Sequence, residues 1–304
     1  MRYDFDAYLL RLAGEAGVSM KLGASISEID LENRVVTLNS GDCLKFAFLI
    51  GADGANSQVA KHIFGKSFNT KTIGFGLEVE VTQEQLPLQP DIVEIDFAGA
   101  RWGYGWVFPK HKSFTIGVGG IHTLNPDLRE KLGKYLARKG INIFDIRVKG
   151  QFIPFGDYRT RPGAANALLC GDAAGLVDPI TGEGIAYAMQ SGCFAAKAIA
   201  EARRLGDPDR AFEIYLKDYK QITNAIWQAN LWRRLIFPQK IQGLFAKGFS
   251  DASTLQKGFL DVLAGEKEYS DLYAIFLIQI EKGLQKLLRL LVPWPTPRRP
   301  PSRS

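Results

Sequence analysis

Three hydrophobic patterns follow one another along the chain. Residues 4–17 carry apolar positions at helical spacing, which predicts an N-terminal helix that ends at a glycine. Strand-like runs follow at residues 25–29, 34–39 and 46–50, and the first two predict a hairpin. The third run predicts a buried strand that ends in the turn GADGANS, after which a helix is expected over residues 57–64.

From about residue 68 the pattern changes to dense valine, isoleucine and aromatic residues broken by glycine and proline. The runs IGFGLEVEVT, DIVEIDF, YGWVFP and SFTIGVGG predict an antiparallel sheet rather than further βαβ units. One helix is expected over residues 126–139, with Asn125 as its cap and Gly140 as its end. The chain then returns to a buried strand, ALLCGDAAG, followed by a long helix of small residues and several more helices.

This order of elements predicts a discontinuous α/β domain with an inserted antiparallel sheet. We expect the first domain to comprise residues 1–66 and 156–204, and the sheet domain to comprise residues 67–155. Residues 205–292 are predicted to form a helical region, and residues 293–304 a disordered tail rich in proline and arginine. A length of 304 residues fits more than one structural unit, and such a layout favours one ligand held between units.

Composition and charge argue against several classes of partner. The formal charge of +6 is concentrated near the C-terminus without a basic stripe interleaved with aromatic residues, so nucleic-acid binding is not expected. The three cysteines lack C-x-x-C spacing and the three histidines form no ligand pattern, so we expect buried free thiols and no metal site. The opening residues do not resemble a signal peptide and no run of about 18 apolar residues occurs, which predicts a cytoplasmic protein.

Residues 171–192 carry the clearest chemistry. An apolar strand runs into Gly-Asp-Ala-Ala-Gly, which presents an aspartate at the carboxyl end of a sheet strand, where open α/β sheets bind ligands. The aspartate can accept hydrogen bonds from polyol hydroxyls, and the later glycines let the backbone approach a flat ligand. The N-terminal amides of the next helix favour negative charge, such as that of a reduced flavin. The binding candidates are Gly171, Asp172, Gly175, Pro179, Gly182, Glu183, Gly184 and Ile185. A plain strand-to-helix turn is the alternative interpretation.

Three stretches resemble parts of one superfamily of flavoproteins. Residues 168–192 resemble the second FAD-binding motif of the flavoprotein hydroxylase and reductase superfamily. LIGADGANSQVAK is similar to its other internal motif, with Asp53 and Gly54 in the turn as further cofactor-binding candidates. FDAYLLRLAGEAG resembles the helix that follows the first dinucleotide-binding unit in these proteins. The resemblance implies FAD as the cofactor and a Rossmann-like FAD/NAD(P)-binding domain.

A fourth stretch, GYGWVFPK, resembles the Y-x-W-x-F-P signature of the geranylgeranyl reductase family. The match holds at Tyr104, Trp106, Phe108 and Pro109, whereas Arg101 stands where the family has proline. In that family the signature lines the lipid side of the flavin, which implies substrate binding by these four residues. An aromatic strand that packs a core is the alternative interpretation, because alternation places the three rings on one face in either case.

The G-x-G-x-x-G fingerprint that begins such folds is absent from the sequence. Glycine pairs with G-x-G spacing begin at Gly74, Gly103, Gly117 and Gly182, and each lacks the third glycine. The resemblance therefore begins after the first βαβ unit, and we interpret the chain as an N-terminally truncated member of the family. We expect it to bind FAD weakly or not at all by itself.

The activity that the resemblance implies is reduction of prenyl double bonds in a lipid or chlorophyll precursor. FAD, reduced by NADPH or another electron donor, would pass hydride to the substrate, with Tyr104 as the candidate proton donor. Asp172 would anchor the ribityl or pyrophosphate region, and residues 182–185 would contact the isoalloxazine. An FAD-dependent monooxygenase of the aromatic hydroxylase type and a non-catalytic remnant are the alternatives.

The predicted helix over residues 272–292 collects leucine and isoleucine near one face, with lysine and arginine elsewhere. This pattern fits a peripheral contact with a membrane, attractive for a lipid substrate, and fits packing on neighbouring helices equally well.

Overall fold

The computed structural model describes residues 2–86, 93–164, 166–238, 253–263, 265–273 and 277. The chain divides into two compact units, Met1–Pro238 and Gln239–Ser304. Most of the predicted helix over residues 272–292, and the whole predicted tail, lie outside the described residues. No helix among the described residues is long and apolar enough to cross a membrane.

The chain begins with helix α1 (Arg2–Glu15), as predicted, and Gly17 follows it with a left-handed φ of +87°. A three-stranded antiparallel sheet comes next, made of β1 (Ile26–Asp30), β2 (Val35–Leu38) and β3 (Cys43–Lys45). The predicted strand over residues 46–50 is wrong in its bounds. Gly41 adopts a φ of +90°, so the chain turns back at once and residues 43–45 pair with β2. That exposed edge strand lacks the hydrophobic run by which the pattern would have shown it.

The second sheet brings together segments far apart in sequence. Strand β4 (Leu49–Gly51) lies at its edge and precedes helix α2 (Gln58–Phe64), which begins and ends where predicted. Ile50 on the edge strand is exposed.

The third sheet is antiparallel and has five strands in the order β6-β7-β8-β5-β9. Its members are β5 (Gly74–Thr82), β6 (Glu94–Asp96), β7 (Gly103–Pro109), β8 (Ser113–Ile121) and β9 (Val148–Ile153). Helix α3 (Leu128–Ala137) covers the face that carries Val107, Ile116 and Val118. The antiparallel insertion is therefore confirmed.

Asn125 does not cap α3, contrary to the prediction. The helix begins after Asp127, and the Asn125 amide instead bonds the backbone of Arg101 in both directions and the carbonyl oxygen of Ile121. The side chain is buried between two segments of the sheet, where it satisfies backbone groups that would otherwise lack partners. A contact of this range is invisible in the local pattern that predicted the cap.

After the insertion the chain returns to the second sheet. Strand β10 (Gly163–Ala164) pairs antiparallel with β11 (Ala167–Leu169), and β11 pairs in parallel with β4. Helices α4 (Ile185–Arg204) and α5 (Ala211–Ile236) pack on one another, and the core contains residues of β11 and both helices. In the second unit the structure describes helix α6 (Ser253–Leu263). The α/β class with an antiparallel insertion is as predicted, while the exact domain bounds stay predictions.

The prediction of buried thiols is right for Cys170 and wrong for Cys43 and Cys193, which are exposed. Cys43 lies on the exposed edge strand β3. Cys193 lies on α4 away from the buried stripe that Ser191, Ala195 and the later alanines form. Sequence neighbours suggested an apolar setting for these thiols, but the face of the element decides their exposure.

Candidate functional site

A cavity of about 460 Å³ lies between α1 and the segment from Gly171 to Gly184, here called the glycine loop. The predicted cofactor-binding residues on its wall are Gly54, Gly171, Asp172, Gly182, Glu183, Gly184 and Ile185. Helix α1 supplies the facing side chains Arg2, Phe5, Asp6 and Leu9. The structure thus assembles the two internal motifs and the N-terminal helix around one space.

Two further predicted residues lie elsewhere on the loop. Gly175 lines a second cleft of about 450 Å³, which meets the first cavity at Asp172. Pro179 is buried and belongs to the lining of neither space. These two residues shape the loop rather than present a surface to the cavity.

The first half of the glycine loop depends on glycine for its backbone. Gly171 has a φ of +54°, and a Cβ there would lie 2.9 Å from the Cβ of Ala188 on α4. Gly175 has a φ of +81°, and its Cβ would collide with the carbonyl oxygen of Asp157. Since side chains rarely tolerate either condition, the loop can take this path only with glycine at both positions.

The second half of the loop is held by a buried aspartate that the sequence reasoning missed. Asp178 is 4% exposed, and its Oδ1 accepts hydrogen bonds from the amides of Ile180 and Thr181, both at 2.8 Å. Its own amide donates to the carbonyl oxygen of Glu183 at 2.8 Å. Aspartate side chains commonly bond the backbone two or three residues on, so the letters DPIT carried this signal.

The Asp172 carboxylate borders the cavity and makes no hydrogen bond to any described residue. Burial raises its pKa above the usual value, with Arg2 acting in the opposite direction. Gly184 keeps the space beside it open, because a Cβ there would lie 3.2 Å from Oδ1 of Asp172. A partly buried acceptor without a partner beside a glycine wall fits a ligand that brings hydroxyl donors, as the ribityl chain of FAD does.

Glu183 changes the expected chemistry at the start of α4. Its Oε1 accepts hydrogen bonds from the amides of Ile185 at 2.7 Å and Ala186 at 3.4 Å. The prediction that these helical amides are open to a developing negative charge is therefore wrong in this conformation, because the neighbouring carboxylate satisfies them. A ligand that uses the amides must displace the Glu183 side chain.

Asp53 shapes the turn after β4 rather than facing the cavity. Its carboxylate accepts the hydroxyl of Ser57 at 2.6 Å and the amide of Gln58 at 2.7 Å. Ser57 in turn accepts from the amide of Ala60 and caps α2. This geometry fits the predicted role of Asp53 in ordering the turn, from which Gly54, with a φ of +76°, reaches the cavity wall.

The aromatic residues of β7 share the face opposite α3. The Tyr104 hydroxyl donates a hydrogen bond to the carbonyl oxygen of Thr181 on the glycine loop. The Trp106 ring lies 5.7 Å from that of Tyr104 and covers Gly117 on β8, and the Phe108 ring stacks on it at 6.1 Å. Pro109 ends the strand. The stripe therefore starts at the loop and runs away from it along the sheet.

Tyr104 is both buried, as a core residue would be, and bonded to the glycine loop. It is 8% exposed, and burial, aided by the carboxylates of Asp178 and Glu183, holds its pKa far above the usual range. The phenol therefore stays protonated, which suits a donor and not a base. Its hydrogen bond reaches the loop and its ring does not line the 460 Å³ cavity.

The chain is similar in sequence and in fold to several known proteins. No protein-family model matches the chain. The geranylgeranyl diphosphate reductase of Rhodobacter capsulatus is 32% identical over 218 residues, which cover 68% of this chain and 55% of that protein. The chloroplastic geranylgeranyl diphosphate reductase of Nicotiana tabacum is 28% identical over 286 residues, which cover 87% and 59%. A Thermoplasma acidophilum structure described as geranylgeranyl bacteriochlorophyll reductase-like matches with a TM-score of 0.66 at 22% identity, over 77% of this chain and 62% of that chain.

The chain spans less than two thirds of the length of each of these proteins. The structural likeness shows a shared fold. The sequence matches to the two reductases extend over both the glycine loop and the aromatic strand β7. The chain belongs to the geranylgeranyl reductase family of FAD-dependent oxidoreductases.

Proposed function

We propose that this chain builds the flavin-ring end and the substrate side of an FAD-dependent reductase that adds hydrogen across prenyl double bonds. The observation that carries the proposal is the cavity between α1 and the glycine loop, where Asp172 faces a glycine-walled space without a partner among the described residues. The names of the sequence relatives support a geranylgeranyl group, in a lipid or chlorophyll precursor, as the substrate.

In this proposal the cofactor is FAD, with NADPH or another electron donor as its reductant. Asp172 accepts hydrogen bonds from the ribityl hydroxyls, and Gly182 and Gly184 let the backbone lie against the flavin ring. Glu183 gives up the first amides of α4 when the ring binds. The bound flavin supplies hydride, and the protein supplies orientation and electrostatics.

The aromatic stripe forms the apolar side of the proposed substrate site. Tyr104, Trp106, Phe108 and Pro109 run away from the loop along β7, which suits a long apolar chain laid over flat rings. Tyr104 is the candidate proton donor because its phenol stays protonated. After donation it would regain its proton from solvent.

A titration with FAD, followed by flavin fluorescence, tests the cofactor site. We expect weak binding by the chain alone, with FAD lost on desalting, and roughly tenfold weaker binding by Asp172→Asn, since a charged acceptor is lost. Asp6→Asn is the matched control, because Asp6 lines the same cavity from α1 and is paired with Arg2. Equal measurable affinities of all three proteins would contradict the site, and stoichiometric FAD retained after desalting would contradict the expected weak binding.

The activity is tested with dithionite-reduced FAD and geranylgeranyl diphosphate, with products analysed by mass spectrometry. We expect products that have gained a hydride and a proton for each reduced double bond. Unchanged substrate in the presence of bound, reduced FAD would contradict the reductase function and favour the non-catalytic alternative. Formation of a hydroxylated product in air would instead favour a monooxygenase.

A further inference from the structure

The second cleft, of about 450 Å³, carries more unpaired positive charge than the first cavity. Its wall contains three cationic side chains, those of Lys66, Arg159 and Arg161. Among the described residues, no carboxylate forms an ion pair with any of the three. The first cavity has one cation, Arg2, which is already in an ion pair on α1. The cleft therefore offers an anionic ligand charges that the folded chain leaves unpaired.

The chain holds Arg159 in place at the wall of the cleft. Its Nη2 donates to the carbonyl oxygens of Lys66 at 2.9 Å and Ser67 at 2.7 Å, and its guanidinium lies 4.4 Å from the centre of the Phe64 ring. The Tyr219 hydroxyl on α5 donates to the carbonyl oxygen of Arg159 at 2.8 Å, which fixes the backbone. Burial lowers the pKa of Arg159, so an anion bound beside it would offset part of that cost.

The other two cations are exposed and keep their donors available. The guanidinium of Arg161 lies 4.8 Å from the centre of the Phe212 ring and makes no hydrogen bond to a described residue. Arginine donates in pairs to the oxygens of a phosphate, whereas lysine acts as a compact point charge. Two arginines and one lysine around one cleft therefore suit a ligand with several phosphate groups.

Aromatic rings line the same cleft, which favours a nucleotide over a simple anion. The three rings belong to Phe64, Phe68 and Tyr158. The Phe68 ring lies 5.0 Å from that of Phe152, and Tyr158 packs against the core that contains β11. Nucleobases stack on aromatic side chains, while an inorganic anion would use the cations alone. Rings beside free cations match the two chemical parts of a nucleotide.

The cleft and the first cavity share Asp172 and no other lining residue. Two ligands could therefore occupy the two spaces together and meet at Asp172. The volume of about 450 Å³ lies within the range of small-molecule sites. A molecule in the cleft would lie next to the space that the proposed function assigns to the flavin, where an electron donor has to arrive.

We propose that Lys66, Arg159 and Arg161 bind the phosphate groups of a nicotinamide dinucleotide in this cleft, which is thus the site of the electron donor. This inference rests on the proposed function and deepens it by naming the donor and its site. The reaction served moves one hydride from the nicotinamide to the flavin, so the nucleotide is oxidised as the flavin is reduced. Because arginine commonly accommodates a 2′-phosphate, the site selects NADPH over NADH.

Titration of the purified chain with NADP⁺, followed by calorimetry, tests this site without flavin or turnover. We expect the wild type to bind NADP⁺ more tightly than NAD⁺, and Arg161→Met to bind NADP⁺ roughly tenfold more weakly, since a charged donor pair is lost. Lys66→Met should weaken binding in the same direction, and its side chain is exposed, so the fold does not depend on it.

Lys71→Met is the matched control, because Lys71 is exposed, lies five residues after Lys66 and does not line the cleft. It should bind NADP⁺ as the wild type does. No binding by the wild type, or equal binding by all four proteins, overturns the proposal. Inorganic phosphate that binds as tightly as NADP⁺ also overturns it, because the aromatic rings would then recognise nothing.

Competition with FAD separates the proposed donor site from a site for part of the flavin nucleotide. We expect FAD to leave bound NADP⁺ in place. Displacement of NADP⁺ by FAD would show that the cleft holds the ADP half of FAD, and would overturn the proposal. Binding of NADP⁺ without any prenyl reduction would keep this site and remove the proposed function. Prenyl reduction by dithionite-reduced FAD in a chain that does not bind NADP⁺ would do the opposite, so the two failures are distinguishable.

Discussion

The glycine loop and helix α1 face one another across the same cavity, yet they are built in opposite ways. Hydrogen bonds hold the loop at several points. Ser191 accepts one from the amide of Gly171, Asp178 accepts others from loop amides, and the Tyr104 hydroxyl donates one to a loop carbonyl oxygen. Helix α1 has no buried residue, and Tyr3 on it is 85% exposed. Its ion pairs are exposed contacts within the helix itself.

A ligand site needs both a wall of fixed conformation and side chains that contact the ligand, and here different elements supply them. The loop has its conformation before a ligand arrives, so binding to it needs little ordering. The helix offers side chains but little packing that would hold them in place, so ordering that wall must draw on the free energy of binding. If the chain alone binds FAD weakly, as we expect, the poorly packed wall of α1 would add to the effect of the absent G-x-G-x-x-G unit.

The largest expected effect is on the free energy of unfolding, and it compares two glycines with nearly equal φ angles. Gly175→Ala on the loop should destabilise the protein by about 3 kcal/mol or more, since left-handed strain adds to a collision with backbone atoms of Asp157 and Tyr158. Gly17→Ala, just after α1, should destabilise it by only about 1 kcal/mol, because φ is +87° and nothing lies within 4 Å. Urea unfolding measures both, and similar losses would show that the loop is not the rigid wall.

A middle-sized effect is expected from the tyrosine that ties β7 to the loop. Tyr104→Phe leaves the carbonyl oxygen of Thr181 without its donor, so we expect a loss of about 1 kcal/mol. The control, Tyr8→Phe on α1, removes a half-exposed hydroxyl and should change the free energy of unfolding by less than about 0.5 kcal/mol. If Tyr104→Phe is as harmless as the control, this hydrogen bond does not hold the loop.

The smallest expected effect depends on pH, and here the substitution stabilises the folded protein instead of destabilising it. Burial raises the folded-state pKa of Asp172 above the value of 3.8, so the ionised carboxylate destabilises the folded chain at neutral pH. This penalty is absent below the unfolded pKa and grows as the pH rises through the folded pKa. Asp172→Asn should therefore be more stable than the wild type at pH 7 and equal to it in acid, as thermal unfolding without FAD would show.

The control for this prediction is Asp6→Asn on α1, which breaks an exposed ion pair with Arg2. It should change stability by no more than about 0.5 kcal/mol at neutral pH. A stabilised Asp172→Asn that also binds FAD less well would show that the loop keeps a costly carboxylate for its ligand. A destabilised variant would mean that Asp172 has a structural role instead.

Much of the fold could be predicted because its signals are local. Helix α2, the antiparallel insertion and the return to the buried strand β11 follow from residue spacing, capping and glycine positions. The errors share a different cause. Strand β3 is exposed and short, and Asn125 bonds a segment 24 residues away, so neither leaves a mark in a local pattern.

In the candidate site, too, the features set by neighbouring residues could be predicted and those set by distant contacts could not. The glycine loop, Asp172 and the aromatic stripe could be recognised from the sequence. A turn that needs glycine and a strand in which aromatic residues alternate with others are properties of neighbouring residues. Only the tertiary structure decided that α1 is exposed and that Arg233 is buried, with two donors that have no partner among the described residues. Each of these depends on which distant surface a side chain meets, and burial and unpaired charge are created by folding alone.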